Sequence, residues 1–234
     1  MTDFDEREIA KVNAAEAAVK LVKDGQVLGI GSGTTVEHFI KLLGERIKKE
    51  GLEVYGVPSS FQSYFLALDS GIRVVGLDEF DVLDLAVDGA DEVDSDLNLI
   101  KGGGGAFTRE KIVDSAAKEF VVIVDWSKKV NRLCERFPVP VEVLPFAYGY
   151  VYRRLRKLGG EPILRKAKFK LGPVISDNGN FIVDVKFSKI KDVGNLERDI
   201  NNIPGVIENG IFPSSLVDIV FVGYSDRVEI LKRE

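Results

Sequence analysis

Leu83-Asp84-Leu85-Ala86-Val87-Asp88-Gly89-Ala90-Asp91-Glu92 is the stretch that decides the architecture. A short, largely apolar, β-compatible run leads into an aspartate and a glycine, so a strand over 83–88 is expected to end at Asp88. Working outward, strand-like segments stand near 27–30, 53–57, 72–76 and 120–125, with helical stretches between them and a helix-like Glu6–Val22 in front. This alternation predicts an α/β fold: a doubly wound, mostly parallel, Rossmann-like sheet. Ligands bind such sheets at the carboxyl ends of the strands, which is where Asp88 should sit.

The texture changes after Lys128. Val139–Val143, a helix near Phe146–Lys157, a hairpin from Val174 to Phe187 turning at Asp177-Asn178-Gly179, and a helix near Asn195–Asn201 predict a second, smaller antiparallel α+β domain. The apolar run Val217–Val222 is expected to return to the main sheet. The expected division is 1–128 plus about 206–234 for the α/β domain and about 129–205 for the α+β domain.

Downstream of Asp88 and Asp91 come Lys101-Gly102-Gly103-Gly104-Gly105-Ala106 and then Glu110. Four consecutive glycines let a backbone approach a ligand closely with its N–H groups turned inward, and a helix starting near Ala106 adds a positive end, so anions are favoured there. At ~100° per residue Glu110 shares a side of that helix with Ala106, Val113 and Ala117, at the edge of an apolar arc completed by Ile112 and Ala116. Desolvation there would favour a general base, while the helix start and Lys101 oppose it. Taken alone, Glu110 also reads as a first-turn acid complementing the dipole.

A second glycine loop, Gly31-Ser32-Gly33-Thr34-Thr35, lies between a strand at Val27–Ile30 and an amphipathic helix over Val36–Lys49. It lacks the third glycine of a dinucleotide fingerprint, having Thr34 there, and the lysine of a P-loop. Three hydroxyls beside two glycines suit a phosphate monoester; a helix cap by Ser32 or Thr34 is the alternative.

Together, Gly31-Ser32-Gly33-Thr34-Thr35, Asp88-Gly89-Ala90-Asp91-Glu92, Lys101-Gly102-Gly103-Gly104-Gly105-Ala106 with Glu110, and Asp125-Trp126-Ser127-Lys128 resemble ribose-5-phosphate isomerase type A, in order and over essentially the whole chain. The departures are small: Ser32-Gly33-Thr34 replaces a frequent Thr-Gly-Ser, and Trp126 occupies a place before Ser-Lys that is usually small or acidic.

The resemblance implies a cofactor-free aldose-ketose isomerase that interconverts ribose 5-phosphate and ribulose 5-phosphate through an enediolate, in the non-oxidative pentose phosphate pathway. It implies Glu110 as the base, Lys101 as the cation near the developing oxyanion and Asp88 as the group that helps open the furanose. Asp91 would bind sugar hydroxyls, with Gly89, Ala90 and Gly102, Gly103 and Gly104 lining the substrate. Ser32, Gly33, Thr34, Thr35, Lys128 and Lys11 would contact phosphate and sugar. It further implies a homodimer or homotetramer. The chemistry fits: a proton α to a carbonyl is weakly acidic, so the reaction needs a placed base, contributing about 10²- to 10⁴-fold, and positive charge where the oxyanion forms.

Several other classes fit less well. A metal-assisted hydride shift would need His and carboxylate ligands, and the chain has one histidine, His38, which reads as a surface or packing residue. Asp94-Ser95-Asp96-Leu97-Asn98 starts like a calcium loop but has Leu99 at the glycine position and Gly105 in place of the closing glutamate. No metal site is expected. A non-catalytic sugar-phosphate sensor would keep the phosphate loops without needing Lys101 and Glu110 together, and a coenzyme A or nucleotide enzyme would need an adenine pocket for which nothing stands out.

Composition agrees: 234 residues, 45% hydrophobic, 29% charged and a net charge of −5 describe a globular chain with no global attraction for nucleic acid. The basic run from Arg153 to Lys170 reads as a solvated or subunit-contact face rather than an RNA platform, because its aromatics stop at Tyr152 and Phe169. The lone Cys134 reads as a packing residue. With no apolar leader and no segment long enough to span a bilayer, a cytoplasmic location is expected and no membrane partner.

Overall fold

Strand β7 (Phe120–Asp125) lies in the interior of the main sheet, between β13 (Ile219–Gly223) and β4 (Leu85–Asp88), and its sequence explains why. Phe120–Asp125 is buried at every position, as a strand covered on both faces requires. The computed structural model describes residues 3–233; residues 1, 2 and 234, which the sequence reading places in the larger domain, lie outside them.

In chain order the elements are α1 (Asp3–Val19), β1 (Val27–Ile30), α2 (Thr34–Glu50), β2 (Tyr55–Pro58), α3 (Phe61–Asp69), β3 (Arg73–Val74), β4 (Leu85–Asp88), β5 (Glu92–Val93), β6 (Leu99–Ile100), α4 (Phe107–Ser115), β7 (Phe120–Asp125), β8 (Val139–Val143), α5 (Tyr148–Lys157), β9 (Gly160–Leu164), β10 (Phe181–Phe187), α6 (Val193–Asn201), β11 (Val206–Asn209), β12 (Ile211–Phe212), β13 (Ile219–Gly223) and β14 (Val228–Lys232). They fall into two compact units. Residues up to Ala90, Arg109–Lys128 and the chain from Ser214 form the first, and Asp91–Thr108 with Lys129–Pro213 the second.

The first unit carries a seven-stranded sheet in the order β14-β13-β7-β4-β1-β2-β3. All its pairings are parallel except β13 with β14. The strand order runs outward from β1 through β2 to β3, then restarts on the other side of β1 with β4 and β7, so the sheet reverses direction between β1 and β4. One face is sealed by α1 and α2, whose Ala14, Ala18, Phe39, Ile40 and Leu43 pack on Leu28, Ile30, Val87, Val121 and Ile123. A fully buried side chain such as Phe39 contributes ~1.5–3 kcal/mol. On the other face Val113 of α4 packs with Val27, Val57 and Leu83. Ile112, expected on that apolar arc, is instead 52% exposed. The buried face of α4 is largely polar, with Thr108, Glu110, Lys111 and Asp114 beside Phe107 and Val113.

The second unit holds a four-stranded antiparallel sheet, β11-β8-β10-β9, and a three-stranded one, β12-β6-β5. Val151 and Leu155 of α5 and Ile200 of α6 pack on Val139, Val141, Val143, Val183 and Val185. The expected hairpin from Val174 to Phe187 is a correction. The turn exists, with Gly179 at φ 83 and its N–H on Ser176 O at 2.9 Å, but its first arm meets β10 through the isolated bridge Ile175↔Phe181 and forms no strand, Val174 N–H turning instead to Arg165 O at 2.9 Å. The partners of β10 are β8 and β9. The cause is Glu142, fully buried in β8, which accepts hydrogen bonds from Ser176 Oγ (2.7 Å), Asn180 Nδ2 (2.8 Å), Asn178 Nδ2 (3.1 Å) and the Thr108 hydroxyl. A buried carboxylate needs those donors, and the 176–180 segment curls to supply them.

Candidate active site

In the first unit the loops that follow β1, β2, β4 and β7 all leave the carboxyl edge of the parallel sheet, and those of β1 and β4 flank its point of reversal. That is where an open α/β sheet leaves a crevice for a ligand. Asp88 ends β4 and is fully buried. Its Oδ1 accepts the N–H groups of Ser32 (3.0 Å) and Gly89 (2.6 Å), and Gly31 N–H is held by Val87 O at 3.0 Å. A methyl at Gly31 would sit 2.0 Å from Asp88 Cγ, so only glycine lets this loop and this carboxylate share the space.

The Ser32 hydroxyl does not cap α2. The helix is preceded by Gly33 at φ 100, with no side-chain cap. Ser32 Oγ donates to Ser60 Oγ at 2.6 Å and lies 3.0 Å from Ser59 Oγ, while Gly33 N–H donates to Gln62 Oε1 at 3.0 Å. Thr34 is exposed and Thr35 partly so, at the first turn of α2, where free N–H groups and the helix dipole attract an anion. Sequence reading missed Ser59 and Ser60. Their signal was a hydroxyl pair directly after strand-ending Pro58, with Ser60 and Ser63 forming the reciprocal cap of α3.

Lys128 stands at the end of a turn after β7, closed by Asp125 Oδ1 accepting from Ser127 N–H and Oγ. Glu110 lies in the first turn of α4 and is 5% exposed, more buried than a dipole-complementing surface acid needs to be. Lys11 is bonded through Nζ to Glu8 Oε1 at 2.6 Å, and His38 Nε2 lies 3.2 Å from Glu8 Oε2. The bond from Lys11, opposed in part by desolvation and helped by His38, holds the Glu8 carboxyl below its ordinary pKa.

The second unit brings together Asp91 and the glycine loop. Asp91 Oδ2 accepts Gly103 N–H at 2.6 Å, and Gly105 N–H returns to Gly102 O at 3.0 Å. Gly102 at φ 105 and Gly105 at φ 84 adopt the left-handed conformations this turn demands. Lys101 is 2% exposed, its backbone N–H on Gly210 O at 2.9 Å and its Nζ 5.3 Å from the Phe212 ring centre. Such a cation over an aromatic face is attracted to it. Glu92, the third acid of the motif, is structural: buried in β5, it accepts backbone N–H groups from Cys134 (2.6 Å), Arg136 (2.5 Å) and Phe137 (2.8 Å). Cys134 is buried with φ 64, and desolvation pushes its thiol pKa up.

Asp88 and Ser32 to Thr35 are thus gathered within the first unit, which also holds Glu110, Lys128 and Lys11. Asp91 and Lys101 to Gly104 are gathered in the second. Among the described residues no three His, Cys, Asp or Glu side chains form a metal-binding group, and no helix is long and apolar enough to cross a membrane.

Comparison with known proteins places these features in one family. A family model described as ribose 5-phosphate isomerase A (phosphoriboisomerase A) matches residues 55–227. The ribose-5-phosphate isomerase A of Archaeoglobus fulgidus is 57% identical over 223 residues, covering 94% of this chain and 98% of that protein. The solved ribose 5-phosphate isomerase A of Methanocaldococcus jannaschii superposes with a TM-score of 0.93 at 54% identity, covering 96% of this chain and 99% of that one. A D-ribose-5-phosphate isomerase solved in complex with phospho-erythronic acid has a TM-score of 0.94 at 47% identity, covering 97% and 99%. With matches of this extent the chain belongs to the ribose 5-phosphate isomerase A family.

Proposed function

We infer that this chain interconverts ribose 5-phosphate and ribulose 5-phosphate through an enediolate. The observation that carries the reading is a pair of buried charges nine residues apart, Lys101 at 2% and Glu110 at 5% exposure, on either side of a tetraglycine turn. Lysine and glutamate are almost never buried to this degree unless paired. A sensor would need only the phosphate loops. The relative solved with phospho-erythronic acid supports the same ligand class, a phosphate and a carboxylate on one short polyol.

In this reading Ser32, Gly33, Thr34, Thr35 and Lys128 hold the phosphate, with Lys11 at its margin. Asp88 takes or returns the hydroxyl proton as the furanose opens, and Asp91 with Gly89 and Ala90 orients the hydroxyls. Glu110 then removes the C2 proton of the open aldose. The C–H electron pair becomes the C1–C2 double bond, and the carbonyl pair moves onto O1, where Lys101 offsets the charge. Returning the proton from Glu110 to C1 while the O2 hydroxyl proton passes to O1 gives the ketose. No cofactor enters.

The assay is direct: ketose formation from ribose 5-phosphate, run in D₂O with chelator-treated protein. Ribulose 5-phosphate carrying solvent deuterium, at undiminished rate, is expected. A rate restored only by added metal would overturn the enediolate reading. We further propose a cytoplasmic homodimer or homotetramer in the non-oxidative pentose phosphate pathway, for which light scattering on the eluted protein supplies the number of copies.

A further inference from the structure

Arg165 belongs to a basic run that composition assigns to a solvated face, yet its side chain is only 18% exposed. It follows β9, whose Ile163 opposes Asp184 of β10, so Arg165 and Asp184 are diagonal neighbours on one face of the sheet. The guanidinium grips Asp184 at two points, Nε to Oδ2 at 2.9 Å and Nη2 to Oδ1 at 2.5 Å. Its remaining nitrogen, Nη1, donates to Gly102 O at 2.9 Å and Gly103 O at 3.2 Å.

These bonds fall on the loop that Asp91 holds by its other edge. The peptide joining Gly102 and Gly103 has its carbonyl on Arg165 and its N–H on Asp91 Oδ2 at 2.6 Å. A trans peptide is planar, with C=O and N–H pointing opposite ways. With Gly103 O also on Arg165, the N–H of Gly104 is therefore aimed away from the guanidinium. Four glycines in a row have more conformational freedom than any other tetrapeptide, and ordering them costs ~1–2 kcal/mol per residue. Their own side chains supply none of that order, and the turn bond from Gly105 N–H to Gly102 O leaves the peptides of Gly103 and Gly104 to be held from outside the loop.

We propose that Arg165, gripped by Asp184, is a positioning residue for the isomerase: it locks the glycine loop after Lys101 so that the Gly104 N–H faces an oxygen of the reacting sugar. This rests on the isomerase reading above. Lysine is no substitute, because an ammonium cannot fork onto a carboxylate while bonding two carbonyls.

The test uses Arg165→Ala, Arg165→Lys and Asp184→Asn, with exposed Lys168→Ala as a control expected to match wild type. For Arg165→Ala we expect kcat to fall roughly 10- to 100-fold, the scale of other outer-shell supports, while inhibition by inorganic phosphate stays within about twofold. Added guanidinium ion should restore part of the loss in Arg165→Ala and none in Arg165→Lys. In ligand-free protein carrying ¹⁵N-glycine, the Gly103 and Gly104 amide signals should shift and exchange faster with solvent. If Arg165→Ala does not fold, Asp184→Asn, which keeps the side-chain volume, carries the same measurements.

Unmoved amide signals, or a kcat within twofold of wild type, would overturn the proposal. So would a matched rise in KM and phosphate inhibition constant at unchanged kcat, which would make Arg165 a binding group. Wild-type protein that forms no ribulose 5-phosphate would instead sink the isomerase reading, and the amide signals would still decide whether Arg165 orders the loop.

Discussion

Gly31 and Asp88 occupy one another's space: the Asp88 carboxyl carbon lies 2.0 Å from where a side chain at position 31 would begin. The contact joins the turn after β1 to the end of β4 at the sheet's point of reversal. Neither the buried carboxylate nor the strand backbone can retreat, since the sheet packs both β1 and β4 tightly. Gly31→Ala is therefore expected to displace Asp88, lowering activity by at least about 10²-fold and stability by ~1–3 kcal/mol. Steady-state kinetics and a thermal melt measure both. Activity within tenfold of wild type would show that Asp88 need not stand where it does.

Glu110→Gln keeps the shape of the side chain and removes its ability to accept a proton. The expected outcome is a kcat lowered ~10²- to 10⁴-fold with phosphate affinity unchanged. Near-normal turnover would transfer the role of base to Asp88.

The two glycine loops are expected to divide the substrate. Thr34→Ala combined with Thr35→Ala should weaken ribose 5-phosphate and inorganic phosphate together, by ~0.5–3 kcal/mol per lost hydrogen bond. Lys101→Ala should lower turnover more than phosphate affinity, because its charge matters most when the oxyanion develops. Calorimetric titration with phosphate separates them. Loss of phosphate binding on removing Lys101, with none on removing the threonine hydroxyls, would reverse the assignment of the loops.

Asp84 gives a pH test of the fold. Its carboxyl is held below the ordinary carboxylate pKa by the bond from Lys118 Nζ at 2.8 Å and by Val27 N–H at 3.0 Å, against desolvation. Because the folded pKa is depressed, the ionised group stabilises the protein above its unfolded pKa, and that contribution is lost as pH falls through the folded value. Asp84→Asn should lower stability by up to ~1 kcal/mol near neutral pH, the size of an exposed pair. Urea melts of the two proteins should converge in acid. A difference that persisted below the carboxylate range would show that the amide disturbs packing and that charge is not the cause.

Much of this protein was legible in its sequence because local rules sufficed. The apolar runs at 27–30 and 120–125 became β1 and β7, and the switch from alternating strands and helices to an antiparallel texture marked the second sheet. The glycine loops and the order of acids, lysine and glutamate carried the family, since backbone approach to an anion restricts residue type at fixed positions. What sequence could not show were relations between distant positions. The first arm of the expected hairpin was lost to Glu142, whose donors lie 34 to 38 residues away. The strands β5, β6 and β12 are two residues long each, leaving no period to read. Glu92 looked like a member of the acid cluster until its three backbone donors appeared. Arg165 looked like one surface cation among several, and only the register of β9 on β10 brings it to Asp184 and to the carbonyls of Gly102 and Gly103. Sequence determined which residues could do the chemistry, because residue type sets proton affinity and backbone freedom. Tertiary structure alone decided which of them are held, and by what, because burial and hydrogen-bond direction exist only once the strands have paired.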